Sequence, residues 1–138
     1  MKNSLVDFLI EHNAKQSELF TSPDEEGARR LYRAEHPTEI CALKCMDGRL
    51  NIALMTETPP GIVQPFRNIG GKFDIGWPYF GQVIDSWINY AISRGRRCLA
   101  LVTYHYSKGD HHRGCAGHAY DTDAAREFAF GLLAQIER

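Results

Sequence analysis

The residues best suited to chemistry in this chain are its cysteines and histidines. Four histidines, His105, His111, His112 and His118, lie close together in sequence, and Cys115 stands among them. Far upstream, Cys45 opens the run Cys45-Met46-Asp47-Gly48-Arg49. Two thiolates and one imidazole suit a borderline metal such as zinc, and three protein ligands leave the fourth tetrahedral position for water or substrate. A metal held that way lowers the pKa of bound water and makes a nucleophile near neutral pH. Cys45, His112 and Cys115 form the candidate ligand set. His112 is favoured over His111 by its His-x-x-Cys spacing. Cys115 to His118 is also a ligand spacing, so His118 stays open as an alternative. Asp47 and Arg49 follow Cys45 by two and four residues. An Arg-paired carboxylate stays ionised and fixed in direction, able to accept a hydrogen bond from water and orient it. Taken alone, Cys45 reads as a buried inert thiol, and Asp47–Arg49 as an ion pair bracing a strand end. Their coincidence with His-x-x-Cys puts metal ligation ahead. His105 and His111 are candidates for a proton shuttle, a role suited to histidine as a residue type, though loop histidines are more often simply solvated. The absence of Cys-x-x-Cys argues against a dedicated thiol oxidoreductase.

The elements that must position these groups follow from periodicity. Ser4 and Asp7 read as a capping box for a helix over about residues 4 to 19, whose polar middle leaves only a narrow apolar stripe. Ser22-Pro23-Asp24-Glu25-Glu26 starts a second helix with Ala28, Leu31 and Tyr32 as its buried face, ended by His36-Pro37. Ile40-Cys41-Ala42-Leu43 is a buried strand leading to Cys45, and Leu50 to Met55 a short helix. Ile62 to Phe66 reads as an edge strand because of Pro65. A helix spans Tyr79 to Ser93, a third strand Cys98 to Tyr104, and a last helix begins near Asp121 or Thr122. Cys41 and Cys98, inside strands, are expected in the core. Alternation of strands with helices predicts an α/β fold with a mainly parallel sheet flanked by helices. Sites in such sheets form beyond the carboxyl ends of the strands, where Cys45 and the loop carrying His112 and Cys115 both fall.

Three motifs in order resemble the β-class carbonic anhydrase family. Cys45-Met46-Asp47-Gly48-Arg49 looks like its Cys-x-Asp-x-Arg, His112-Arg113-Gly114-Cys115 like its His-x-x-Cys, and Phe66-Arg67-Asn68-Ile69-Gly70-Gly71 like the Arg-Asn-Ala-Gly segment between them. The resemblance covers about residues 38 to 138, as a short member. It implies one zinc ion per chain on Cys45, His112 and Cys115, and an Asp47–Arg49 dyad. It also implies reversible hydration of carbon dioxide to bicarbonate by zinc hydroxide. It further implies homodimers or higher oligomers whose N-terminal helices embrace the partner. The chain departs from the family pattern at His111 and Ala116, where glycines are usual, in its longer polar stretch after Tyr104, and in ending after one helix. Hydrolases of carbon disulfide and carbonyl sulfide share this fold and ligand set, so the motifs leave the substrate open. A non-catalytic zinc module is the third reading, which the retention of Asp47 and Arg49 disfavours.

Composition bounds these readings. At 138 residues with 43% hydrophobic content, the chain suits one domain: a helical arm over 1–36 and an α/β core over 38–138. A net charge of −1 argues against nucleic-acid binding driven by phosphate neutralisation. No apolar run is long enough for a membrane span, and the first residues lack a signal-peptide core, so a cytoplasmic protein is expected.

Overall fold

A central strand, β1 (Thr38–Cys45), sets the architecture. In the computed structural model, which describes residues 4–138, β1 lies between β2 (Val63–Asn68) and β3 (Arg97–Val102), parallel to both. Residues 1–3, the start of the predicted arm, lie outside the described residues. The apolar run of β1 is explained by this position: Cys41 and Ala42 are fully buried and Leu43 is 1% exposed, as expected for a parallel strand covered on both faces. Pro65 falls on the edge strand, where a missing N–H is tolerated. Lys44 is buried too; its Nζ donates to the Leu50 carbonyl at 2.7 Å. Desolvation, with the nearby Arg67 charge, pushes its pKa below the usual lysine value.

Among the described residues, five helices surround or extend the sheet: α1 (Leu5–Phe20), α2 (Pro23–Glu35), α3 (Ile52–Met55), α4 (Phe80–Ser93) and α5 (Thr122–Ile136). Trp87 of α4 and Phe128, Leu132 and Ile136 of α5 pack with Cys41, Leu43 and Phe73 in one core. Asp121 starts α5 by accepting the Ala124 N–H. The sheet is therefore parallel and flanked by helices, as the alternation predicts. No helix among the described residues is long and apolar enough to cross a membrane.

The N-terminal helices pack little on the core, and α2 departs from expectation. The Ser4–Asp7 capping box forms, yet α1 buries no residue at all and leaves Leu5, Phe8, Leu9 and Ile10 exposed. In α2 the expected apolar face is not the buried one: Leu31 is 60% exposed, and the buried residue is Arg29. Its guanidinium stacks 3.8 Å from the centre of the Phe20 ring and donates to the Phe20 carbonyl at 2.6 Å, which fixes the elbow between the two helices. Cys98 also corrects the reading. Cys41 is core, but Cys98 is exposed because β3 opens at the rim of the sheet, where its first three residues face outward. β3 ends at Val102, short of Tyr104, although Thr103 still bonds the Leu43 carbonyl.

Leu43 is enclosed by the core, so removing its side chain leaves a cavity that little can fill. Leu43→Ala is expected to lower the unfolding free energy by about 2–5 kcal/mol in urea titrations followed by circular dichroism.

Candidate metal centre

Cys45 is the last residue of β1, and His105 stands three positions past the end of β3. Because these strands are neighbours, both ends open on the same place beyond the sheet. Thr103 ties the exit of β3 to β1, its N–H and Oγ1 each bonding the Leu43 carbonyl at 3.1 Å. The chain then runs through two 3-10 turns, His111–Arg113 and Ala116–His118, which bring Cys115 back to Cys45.

The two buried sulfurs lie 3.9 Å apart. A tetrahedral zinc with bonds of about 2.3 Å would separate them by about 3.8 Å. A ring nitrogen of His105 joins them, all three donor atoms lying within 4.8 Å of one another. His105 Nε2 is buried with no hydrogen-bond partner, a costly arrangement that a metal could relieve. Burial pushes the His105 pKa down, against the pull of Asp47, and so favours the neutral ligating form. Burial raises the Cys115 thiol, and the adjoining Cys45 raises it further. This donor set fits a metal ion.

The imidazole brought to the thiols is thus His105 and not His112. His112 lies on an exposed turn that Asp110 caps by accepting its N–H at 3.0 Å. Its ring sits 4.0 Å from that of His111 and 5.2 Å from that of Tyr120. Asp110, His111 and His112 form a separate exposed group of possible ligands. His118 is also elsewhere, its Nε2 within 2.9 Å of the Gly70 carbonyl. The cue that would have selected His105 is its place just past the end of β3, beside the end of β1. That position is fixed by the sheet, whereas the His-x-x-Cys spacing is local and the turn directs it outward.

Asp47 and Arg49 do form a pair. Arg49 Nη2 donates to Asp47 Oδ2 at 2.5 Å, Nε to Oδ1 at 3.0 Å, and the Arg49 backbone N–H to Oδ1 at 2.9 Å. These bonds hold the carboxyl well below the usual carboxylate range. Arg49 Nη2 also donates to the Arg113 carbonyl at 2.8 Å, linking the dyad to the loop that carries Cys115. Asp47 is not among the donors that converge with the thiols. Arg67 acts on the same turn from below, its Nη2 donating to the carbonyls of Met46, Asp47 and Leu50, with 2.7 Å to Asp47. Asn68 Nδ2 donates to the Lys72 carbonyl.

Gly117 belongs to the same construction, and nothing in its neighbouring sequence marked it out. A Cβ there would stand 2.6 Å from the Gly70 nitrogen and 2.7 Å from its Cα. Only glycine lets the 116–118 turn seat against the 69–71 turn, where Gly70 itself has φ 72°.

No protein-family model matches the chain, and no curated protein matches its sequence.

Two outcomes test the centre. The purified chain should bind one zinc or cobalt(II) ion, read by metal analysis and by the thiolate charge-transfer absorption of the cobalt form. His105→Ala should weaken that binding by about tenfold or more, and His112→Ala should leave it unchanged. Gly117→Ala should lower stability by about 1–3 kcal/mol in thermal or urea unfolding, since the backbone it meets must move.

Proposed function

We propose that the chain is a zinc-dependent carbonic anhydrase, a lyase that interconverts carbon dioxide and bicarbonate. The observation that carries this reading is the meeting, at adjacent strand ends, of two thiols 3.9 Å apart and a half-buried imidazole whose Nε2 has no partner. Cys45, His105 and Cys115 would hold one zinc ion. Zinc bound there would acidify a water molecule and so provide hydroxide near neutral pH.

The chain's own residues supply direction and rigidity. Arg49 grips both oxygens of Asp47 and keeps the carboxylate anionic. Asp47 then offers a fixed acceptor that can take the proton side of a water and turn a lone pair toward carbon dioxide. Two thiolates already cancel the charge of a divalent zinc, so an oriented acceptor matters more here than in a site of neutral ligands. Arg67 positions the turn that carries Asp47, and Arg49 ties it to the carbonyl of Arg113. A structural zinc has no use for such a dyad, which favours catalysis over a non-catalytic module. The exposed apolar residues of α1 support a homodimer in which a second copy covers that helix. A reducing compartment such as the cytoplasm keeps both thiols available.

Stopped-flow carbon dioxide hydration by the zinc-loaded protein is the test. The wild type should exceed the buffer rate. Asp47→Ala should retain zinc and lose about 100-fold or more in kcat. Unchanged turnover in that variant would remove the dyad from the mechanism. Zinc retention with no hydration, but release of hydrogen sulfide from carbonyl sulfide or carbon disulfide, would move the assignment to a sulfur-containing substrate. Inactivity on all of these would leave a non-catalytic zinc protein.

A further inference from the structure

Opposite the candidate metal centre, at the amino end of the sheet, guanidinium groups gather and outnumber the nearby acids, Glu26 and Glu39. Glu26, Arg29, Arg30 and Arg33 follow one face of α2, and Arg96 approaches from the turn before β3. Together with Ala34 they line a cleft of about 580 Å³. A second cleft continues from it, sharing Arg33 and Arg96 and adding Glu39, Gln64, Tyr90 and Arg94.

Charge and burial both point to an absent anion. Arg96 is paired with Glu39. Among the described residues, Arg29, Arg30 and Arg33 have no carboxylate at ion-pair distance. Glu26 is the sole acid in the first cleft's lining. Arg29 is 7% exposed, and although its Nη2 bonds the Phe20 carbonyl, its Nη1 is buried with no partner. Holding a guanidinium out of water with a donor unsatisfied is costly. An oxyanion in the cleft would offset the buried positive charge of Arg29 and screen the mutual repulsion of the cluster. The forked donors of arginine match phosphate oxygens in pairs, and a phosphoryl dianion offsets more of the excess charge than a single carboxylate.

We propose that this arginine cleft is a binding site for a phosphoryl-bearing small anion, built on Arg29, Arg30, Arg33 and Arg96. It is independent of the metal centre, since Cys45 lies at the far end of β1. Phosphate binding there requires neither carbon dioxide nor a bound metal, so it holds whether or not the chain hydrates carbon dioxide.

The test is calorimetric titration of the whole chain with sodium orthophosphate, with pyrophosphate and with glycerol phosphate, each at constant ionic strength. Citrate serves as the carboxylate control. Saturable one-site binding is expected, weakened about tenfold or more by Arg30→Ala and by Arg33→Ala, with metal content unaltered. Tighter binding of glycerol phosphate assigns the cleft to phosphate esters; tighter orthophosphate assigns it to the free ion. Arg29→Lys keeps the charge but loses the fork, and should also weaken binding. If that variant unfolds by circular dichroism, the Arg30 and Arg33 variants decide. The proposal is overturned by absence of saturation at millimolar phosphate, by citrate binding as tightly as the phosphates, or by affinities unchanged in Arg30→Ala and Arg33→Ala. It also fails if phosphate does not bind and Arg30→Ala instead shifts the sedimentation of the chain, which would give the cleft to a carboxylate of a second copy.

Discussion

Leu43 pairs with Val102, the last residue of β3, and two residues further on β1 ends at Cys45. That pairing governs everything at the candidate centre. It sets Cys45 beside the start of the loop that carries His105 and Cys115, and no local motif could do so. The hydrophobic core underneath holds the ladder in register: Cys41 and Leu43 face Phe73 and Leu132 within it. The core therefore acts on the chemistry through the strands, by fixing where two chain ends emerge.

Above the sheet, polar bonds take over from packing. Arg67 reaches from β2 to three carbonyls of the turn after β1, while Arg49 closes the other side by bonding Asp47 and Arg113. Two arginines thus stitch β2, the dyad turn and the returning loop into one unit. The contact of Gly117 with Gly70 adds a backbone-to-backbone seat that side chains cannot loosen.

Much of this was legible in the residues. The change from helical to strand periodicity located all three strands, and Pro65 marked β2 as an edge. Ser22-Pro23 and Asp121 marked where helices begin. Type and spacing single out Cys45 and Cys115, whose sulfurs the structure brings together, and Asp47 and Arg49, which it pairs, because each sits at or near a strand end or in a short return. The spacing points to His112 where the structure brings His105 to the thiols, for a physical reason. Spacing in sequence reports proximity only when the intervening backbone is regular, and the stretch from Tyr106 to Gly114 is a polar loop whose turn at His111–Arg113 faces outward. Amphipathic patterning failed likewise in α2. It assumes that apolar residues seek the core, but α2 meets little core, and a cation over an aromatic ring took the buried position.

That cation has a mechanical consequence. A helix of 16 residues is about 24 Å long, and one that buries nothing would ordinarily swing freely about its last turn. Here the Arg29 guanidinium is bolted to both the ring and the carbonyl of Phe20, so the hinge is stiffened at its pivot. α1 is presented as a strut of set direction. Whatever docks along it meets a surface already ordered, and the entropy of aligning that helix is spent in folding, before any encounter takes place.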